Sequence, residues 1–187
     1  MKHNILIAIR LTLTCALLFG VLYTSVILGI AHLSSNHGKG EIIFKNGKTY
    51  YSNLGQSFTD DKYFNSRPSA VDYNAAGSGG SNKGPSNPSY LEAVQARIDT
   101  LLAHNPGISR NQIPAEMVCA SGSGLDPDIS FSGAILQVKR IAKVRQLTEE
   151  ALRKLIVSQT EQPLAGLFGV KKINVLKLNL ALDELKE

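Results

Sequence analysis

The sequence predicts an α+β domain carried by one N-terminal transmembrane helix, and three observations lead there. Residues 11–31, LTLTCALLFGVLYTSVILGIA, contain no formal charge. Between roughly residues 88 and 160, apolar side chains recur at helical spacing behind recognisable caps. On either side of that region, residues 41–52 and 173–182 carry strand signals instead. The expected architecture is a single extracytoplasmic domain in which a small sheet packs against about three helices.

The uncharged run covers a hydrocarbon core of about 30 Å at roughly 1.5 Å per residue. Eleven of its positions are Leu, Ile, Val or Phe, each favouring insertion by about 0.3–0.6 kcal/mol. Lys2 and Arg10 precede it and no charge follows before Lys39, so the positive-inside rule places the N-terminus in the cytoplasm. The expected division is 1–10 cytoplasmic, 11–31 transmembrane, 32–40 stalk and 41–187 extracytoplasmic. A cleaved signal peptide would use Gly29-Ile30-Ala31, but its apolar region would be only about 7–15 residues long. A lipoprotein reading of Cys15 is opposed by Thr14 before it and by the apolar run beyond it. Thr12, Ala16, Gly20 and Thr24 recur every four residues and share a small-residue face that lets another helix approach closely. Such residues are also common in any membrane helix, so both readings stand at this stage.

The net charge of +5 is spread along the chain rather than gathered beside aromatics, which sets nucleic acid aside as a partner. Cys15 lies in the span and Cys119 in the outer domain, so no disulfide framework is expected.

Taken in order, Glu41–Lys45 and Lys48–Ser52 flank Asn46-Gly47, the pair favoured in a two-residue hairpin turn. Residues 54–88 are rich in Gly, Ser, Asn and Pro. Phe58, Tyr63, Phe64 and Tyr73 can nevertheless anchor this loop to a core, so an ordered irregular surface is expected. A first helix starts at Asn87-Pro88, or behind a Ser89/Glu92 capping box, and buries Leu91, Val94, Ile98, Leu101 and Leu102. A second runs from Ser130 or Ser132 to about Arg145, burying Ala134, Ile135, Val138, Ile141 and Ala142 and showing Lys139, Arg140, Lys143 and Arg145 to solvent or, alternatively, to anionic lipid or an acidic partner. A third is capped by Thr148, with Glu149 and Glu150 in its first turn and Leu147 stapled to Leu152. Finally Ile173–Leu182 alternates, with Leu176, Leu178, Leu180 and Leu182 on one side, and reads as a strand pairing with the early hairpin.

Motifs for chemistry are sparse. Gly38-Lys39 lacks the rest of a P-loop. Gly77–Asn82 reads as a flexible turn or, less simply, an anion cradle. Ser121-Gly122-Ser123-Gly124 is out of register for a nucleophile elbow. The four histidines show no metal-ligand spacing, and Asp126-Pro127-Asp128 before Ser130 reads as a turn and helix cap rather than as a cation site.

Several segments together resemble one family, the C subunit of the bacterial Kdp potassium-transporting P-type ATPase. They are Gly55-Gln56-Ser57-Phe58, Tyr63–Ala70, Tyr73-Asn74 with Ser78–Asn82, Ser86-Asn87-Pro88, Ile113–Asp126, Gln137-Val138 with Arg140-Ile141-Ala142, and Ile173–Leu176 with Leu178–Asp183. Cys119 stands where the family usually has Thr. The resemblance implies a non-catalytic subunit that assembles and stabilises a high-affinity potassium uptake complex at a bacterial inner membrane, with the C-terminal domain periplasmic or extracellular. Its partners would be a channel-like potassium-binding subunit, the P-type catalytic subunit and a small accessory subunit. ATP and potassium would be used by the complex, with no cofactor, metal or catalytic residue on this chain. Expected contact residues are Thr12, Ala16, Gly20 and Thr24 on the helix, packing on the channel-like subunit, and Arg67, Ser69, Tyr73, Ser78 and Asn82 on the loop, meeting its outer loops or lining an ion entry path. The competing classes are a membrane-anchored hydrolase using Ser121 or Ser123, and a solute-binding module.

Overall fold

The charge-free run is helical throughout, as a segment that must satisfy its backbone without water requires. In the computed structural model, which describes residues 2–185 apart from 35, 46, 164, 165 and 168, α1 (Lys2–Cys15), a π-helical segment (Ala16–Tyr23) and α2 (Thr24–His32) follow one another without a break. His3–His32 forms a 30-residue helix whose most apolar 18-residue window has a mean hydropathy of 2.4, with none of that window buried. A π turn closes one residue later than an α turn, and Thr24 Oγ1 reaches the carbonyl of Phe19, five residues back, at 3.1 Å. The chain then folds back over the helix end. Ser34 Oγ donates to the Ala31 carbonyl at 2.7 Å, and the Gly38 amide donates to Ser34 Oγ at 3.1 Å.

The hairpin forms where expected. Strands β1 (Ile42–Lys45) and β2 (Lys48–Tyr51) pair antiparallel with Lys45 opposite Lys48. Gly47 takes φ +73°, a conformation open to glycine at little cost; Asn46, its expected turn partner, lies outside the described residues. The chain divides here into two compact units, Met1–Tyr51 and Ser52–Glu187.

The second unit contains α3 (Pro88–His104), β3 (Asp128–Ile129), α4 (Phe131–Ile135), α5 (Val138–Arg145), α6 (Glu149–Ser158), β4 (Thr160–Glu161), β5 (Lys172–Asn174) and α7 (Val175–Leu182). Caps are where the sequence puts them. The Asn87 side chain accepts from the Tyr90 amide with Pro88 at the first helical position, and Thr148 Oγ1 accepts from the Ala151 amide. Three antiparallel strands lie in the order β3-β5-β4. Helix α6 packs against α4, α5 and α7, and β5 against α4 and α7, around a core that includes Phe64, Ile141, Leu152, Ile156, Ile173, Leu178 and Leu182. The α+β expectation holds.

Four expectations are corrected. Ile173–Leu182 is a strand only to Asn174. The Asn174 side chain then accepts from the Lys177 amide and caps α7. Val175, Leu178 and Leu182 are buried at helical spacing, and Leu176 and Asn179 are buried as well, so a helix covered on most sides produced an alternating pattern by chance. The hairpin is its own two-stranded sheet, separate from the C-terminal strand. The second helix is two helices, interrupted at Leu136-Gln137, where Gln137 is almost fully buried and turns its amide into hydrogen bonds with the Gly133 carbonyl and Asn65. The second unit therefore holds five α-helices among its described residues rather than three. Lastly, Arg140 belongs to the interior and not to the solvated face, with only 6% of its surface exposed.

Candidate functional site

The second unit's irregular region is built around Arg140. Its Nε donates to Asn105 Oδ1 at 3.0 Å, Nη1 to the Asp61 carbonyl at 2.7 Å, and Nη2 to Asn65 Oδ1 and Gln137 Oε1, both at 2.7 Å. The Tyr63 carbonyl accepts a further bond at 3.1 Å. Burial lowers the guanidinium's affinity for its proton, and neighbouring Asp61 restores part of it. A planar group with five donors suits this job, since it can hold several acceptors of one loop at once. Nearby, Asn179 pins the same loop from α7 by accepting from the Phe64 amide at 2.8 Å and donating to its carbonyl at 2.9 Å. A recess of about 420 Å³ opens beside this network, walled by Arg97, Thr100, His104, Met117 and Gln137 as well as Arg140. Because every guanidinium nitrogen of Arg140 is engaged, that wall holds the loop in place.

The loop so fixed carries the predicted contact residues. Ser69 Oγ donates to the Gly124 carbonyl at 2.7 Å and accepts from the amides of Val71 and Tyr73. Tyr73 Oη donates to the Arg67 carbonyl at 2.7 Å, and burial pushes its phenol above the ordinary 10.0 while Arg97 draws it back. Ser78 Oγ and the Gly79 amide both donate to the Ser123 carbonyl. The Gly79 amide thus serves a carbonyl, as in a structural turn, rather than facing an anion. Arg67 Nη1 meets Asp126 Oδ2 at 2.6 Å, and Arg67 Nε is buried without a partner among the described residues.

The structure thus joins Arg67, Ser69, Tyr73 and Ser78 to the Ser121–Asp126 turn as one stitched platform. Asn82 stands on the exposed edge of the same loop with φ +53°. Asp72 and Tyr73 are consecutive residues at φ +50° and +57°. Two non-glycine residues in the left-handed region cost energy that the surrounding bonds must offset. Gly124 takes φ +68°, and a Cβ there would stand 2.6 Å from Val71 Cγ2 and 2.8 Å from the Gly79 carbonyl oxygen. An open cleft of about 650 Å³ lies on this platform, lined by Asn53, Arg67, Ser78, Ser123 and Asp126 among others.

The serines considered for nucleophilic chemistry serve the turn. Ser121 Oγ accepts from the Gly124 amide at 2.9 Å and Ser123 Oγ from the Leu125 amide at 3.1 Å. Asp126 is paired with Arg67, and Asp128 meets Lys172 at 2.7 Å, which raises the lysine's pKa. Among the described residues no three His, Cys, Asp or Glu side chains come together as a metal site, and both cysteines are free.

The remaining predicted residues belong to the first unit. Thr12 lies in α1, Ala16 and Gly20 in the π segment and Thr24 at the start of α2. Four residues overshoot one α turn of about 3.6 and fall short of one π turn. The stripe's drift in α1 is therefore reversed across Ala16–Thr24. A Cβ at Gly20 would meet nothing within 4 Å, so that face is open. Sequence reasoning missed Arg140, Gln137 and Asn179. Arg140 reads as one more charge on a solvated helix face and Asn179 as the polar side of a strand, so neither polarity nor spacing singled them out; all three lie within the segments that carry the family resemblance.

Comparison with known proteins covers nearly the whole chain. A family model described as K+-transporting ATPase, c chain, matches residues 5–184. The chain is 53% identical over 184 residues to a potassium-transporting ATPase KdpC subunit of Flavobacterium psychrophilum, covering 98% of this chain and 99% of that protein. Its identity to the protein of the same description in Bacteroides fragilis is 48% over 187 residues, covering 98% of each. The corresponding protein of Caldanaerobacter subterraneus subsp. tengcongensis is 48% identical over 190 residues, covering all of this chain and 98% of that one.

Proposed function

The chain belongs to the KdpC family of potassium-transporting ATPase subunits, and from that premise we propose that it is the non-catalytic subunit that assembles and stabilises the uptake complex. Its membrane helix binds the channel-like potassium-binding subunit through Thr12, Ala16, Gly20 and Thr24. Its second unit lies outside the cytoplasm and meets the outer loops of that subunit through the platform around Arg67, Ser69, Tyr73, Ser78 and Asn82. ATP is hydrolysed by the P-type catalytic subunit on the other side of the membrane. Any influence of this chain on turnover then acts by unequal contact with the pump's conformations.

The observation that carries this reading is the N-terminal helix, whose residues 3–30 are all exposed. An apolar helix that buries nothing against its own chain has its neighbours elsewhere, in lipid and in other membrane helices. The platform supports the reading in a different way. Its side chains hold a strained backbone rigid, which presents a preformed surface and keeps the ordering cost of docking low.

The test is affinity purification of the chain from gently solubilised membranes of potassium-starved cells. A P-type ATPase and a channel-like protein are expected to co-elute. Gly20→Leu is expected to lower their recovery strongly, and unchanged recovery removes the helix face from the reading. Proteolysis of right-side-out against inverted vesicles tests the orientation; cleavage of the second unit only in inverted vesicles would overturn it.

A further inference from the structure

The hairpin of the first unit carries exposed apolar side chains on one face. Its register sets Ile42 opposite Tyr51 and Phe44 opposite Thr49, so these four side chains share one side. Ile42, Phe44 and Tyr51 are 40%, 74% and 44% exposed. The other side carries Ile43, Tyr50, Lys45 and Lys48. A lone two-stranded ribbon is marginal in water, and this one leaves about three quarters of Phe44 exposed.

The tether fixes where that face is. The Ser34 hydroxyl bonds link the Ala31 carbonyl to the Gly38 amide, and a Cβ on Gly38 would come within 3.1 Å of that of Ala31. Gly38 therefore lies on the last turn of the membrane helix. Four residues on, Ile42 can be no more than about 14 Å away, even with the chain fully extended. Residues 39–51 carry Lys39, Lys45 and Lys48 against Glu41 alone, a positive bias that complements anionic headgroups. A face of Ile42, Phe44 and Tyr51 backed by one that carries both lysines beside Ile43 and Tyr50, held at the end of a spanning helix, fits an interfacial anchor.

We propose that the β1-β2 hairpin lies in the headgroup region of the bilayer, with Ile42, Phe44 and Tyr51 turned toward the acyl chains and Lys45 and Lys48 toward anionic phosphates. The hairpin fixes the depth and rotation of the helix that precedes it. This inference rests on the membrane placement of the helix and not on the assembly role.

The chain contains no tryptophan, so a single introduced one reports its surroundings without background. The full-length chain with Phe44→Trp, and in parallel Tyr51→Trp on the same face and Tyr50→Trp on the other, is reconstituted into phosphatidylcholine/phosphatidylglycerol vesicles. Lipids brominated near the top of the acyl chains and aqueous iodide serve as quenchers. Positions 44 and 51 are expected to be blue-shifted and quenched by bromolipid roughly twice as strongly as position 50, with iodide showing the reverse order. Phosphatidylcholine alone should weaken the difference. Strong iodide quenching at 44 and 51 without bromolipid quenching overturns the proposal, as does equal bromolipid quenching on both faces. Shielding from both quenchers assigns the face to a protein neighbour and overturns it too. Flotation separates the two levels. Chain that floats with the vesicles but fails these readouts overturns the hairpin proposal alone, whereas chain that does not float overturns the membrane reading together with it.

Discussion

The two units of this chain satisfy their side chains in opposite ways. From residue 3 to residue 30 the first unit exposes every side chain, nearly all of them apolar or small, and its hairpin adds three exposed apolar side chains. The second unit buries Phe64, Ile141, Leu152, Ile173 and Leu178 completely and encloses Gln137, Arg140, Asn174 and Asn179 with them. Apolar surface facing outward must be covered by lipid or protein. Polar groups facing inward must be covered by one another. The first unit is therefore organised for neighbours outside the chain, and the second for neighbours within it.

That contrast is broken most severely at Arg140. Arg140→Met strands the acceptors of Asp61, Tyr63, Asn65, Asn105 and Gln137 in a buried site, and the expected loss is about 3–5 kcal/mol. Urea unfolding of the full chain in mild detergent, followed by the near-ultraviolet signal of the tyrosines, measures it. Asn179→Ala follows at about 2–3 kcal/mol, because the Phe64 amide and carbonyl both lose their partner; the same titration checks it.

Gly124→Ala comes next, at about 2 kcal/mol. A left-handed L-residue costs about 1–2 kcal/mol, and the new methyl meets Val71 and Gly79. Amide exchange around residues 69–80 should quicken in this variant. The matched change in the first unit, Gly20→Ala, meets nothing within 4 Å and should leave the urea midpoint where it was. A large shift from Gly20→Ala would dissolve the contrast.

The smallest effect concerns alkali. Tyr73 titrates above its ordinary 10.0 because burial opposes the phenolate. Its raised folded-state pKa gives a contribution to stability that is whole below about pH 10 and is lost as pH rises through the folded value. Tyrosinate absorbance should show a late-ionising component that Tyr73→Phe diminishes. A full-sized late component in the variant would show that Tyr73 does not contribute to it.

Local signals were legible where their partners are local. The membrane helix follows from length and lack of charge, the hairpin from Asn46-Gly47, and α3 and α6 from Asn87 and Thr148, whose side chains bond within three residues. The aromatics of the long loop also read correctly, since Phe64 is fully buried and Phe58 and Tyr63 lie against the core. The C-terminal run misled because over ten residues a helix covered on most sides and a half-buried strand can leave the same alternation. Arg140 misled because it lies on a helix beside Lys139 and Lys143 and reads as their equal. Of the predicted contact residues, the four on the helix lie along an open face. The loop residues Ser69, Tyr73 and Ser78 turn their hydroxyls inward to hold the surface they were expected to supply.

Sequence alone determined what depends on composition and near neighbours: one apolar span, an α+β class, the caps, and the family resemblance. Only the tertiary structure decided which polar groups are interior, how residues 54–88 are held, and where the last helix begins. The reason is distance along the chain. Arg140 finds its acceptors 75 to 79 residues away at Asp61, Tyr63 and Asn65, and Asn179 finds Phe64 across 115. No local pattern of polarity or spacing encodes a bond whose two ends meet only when the core closes between them.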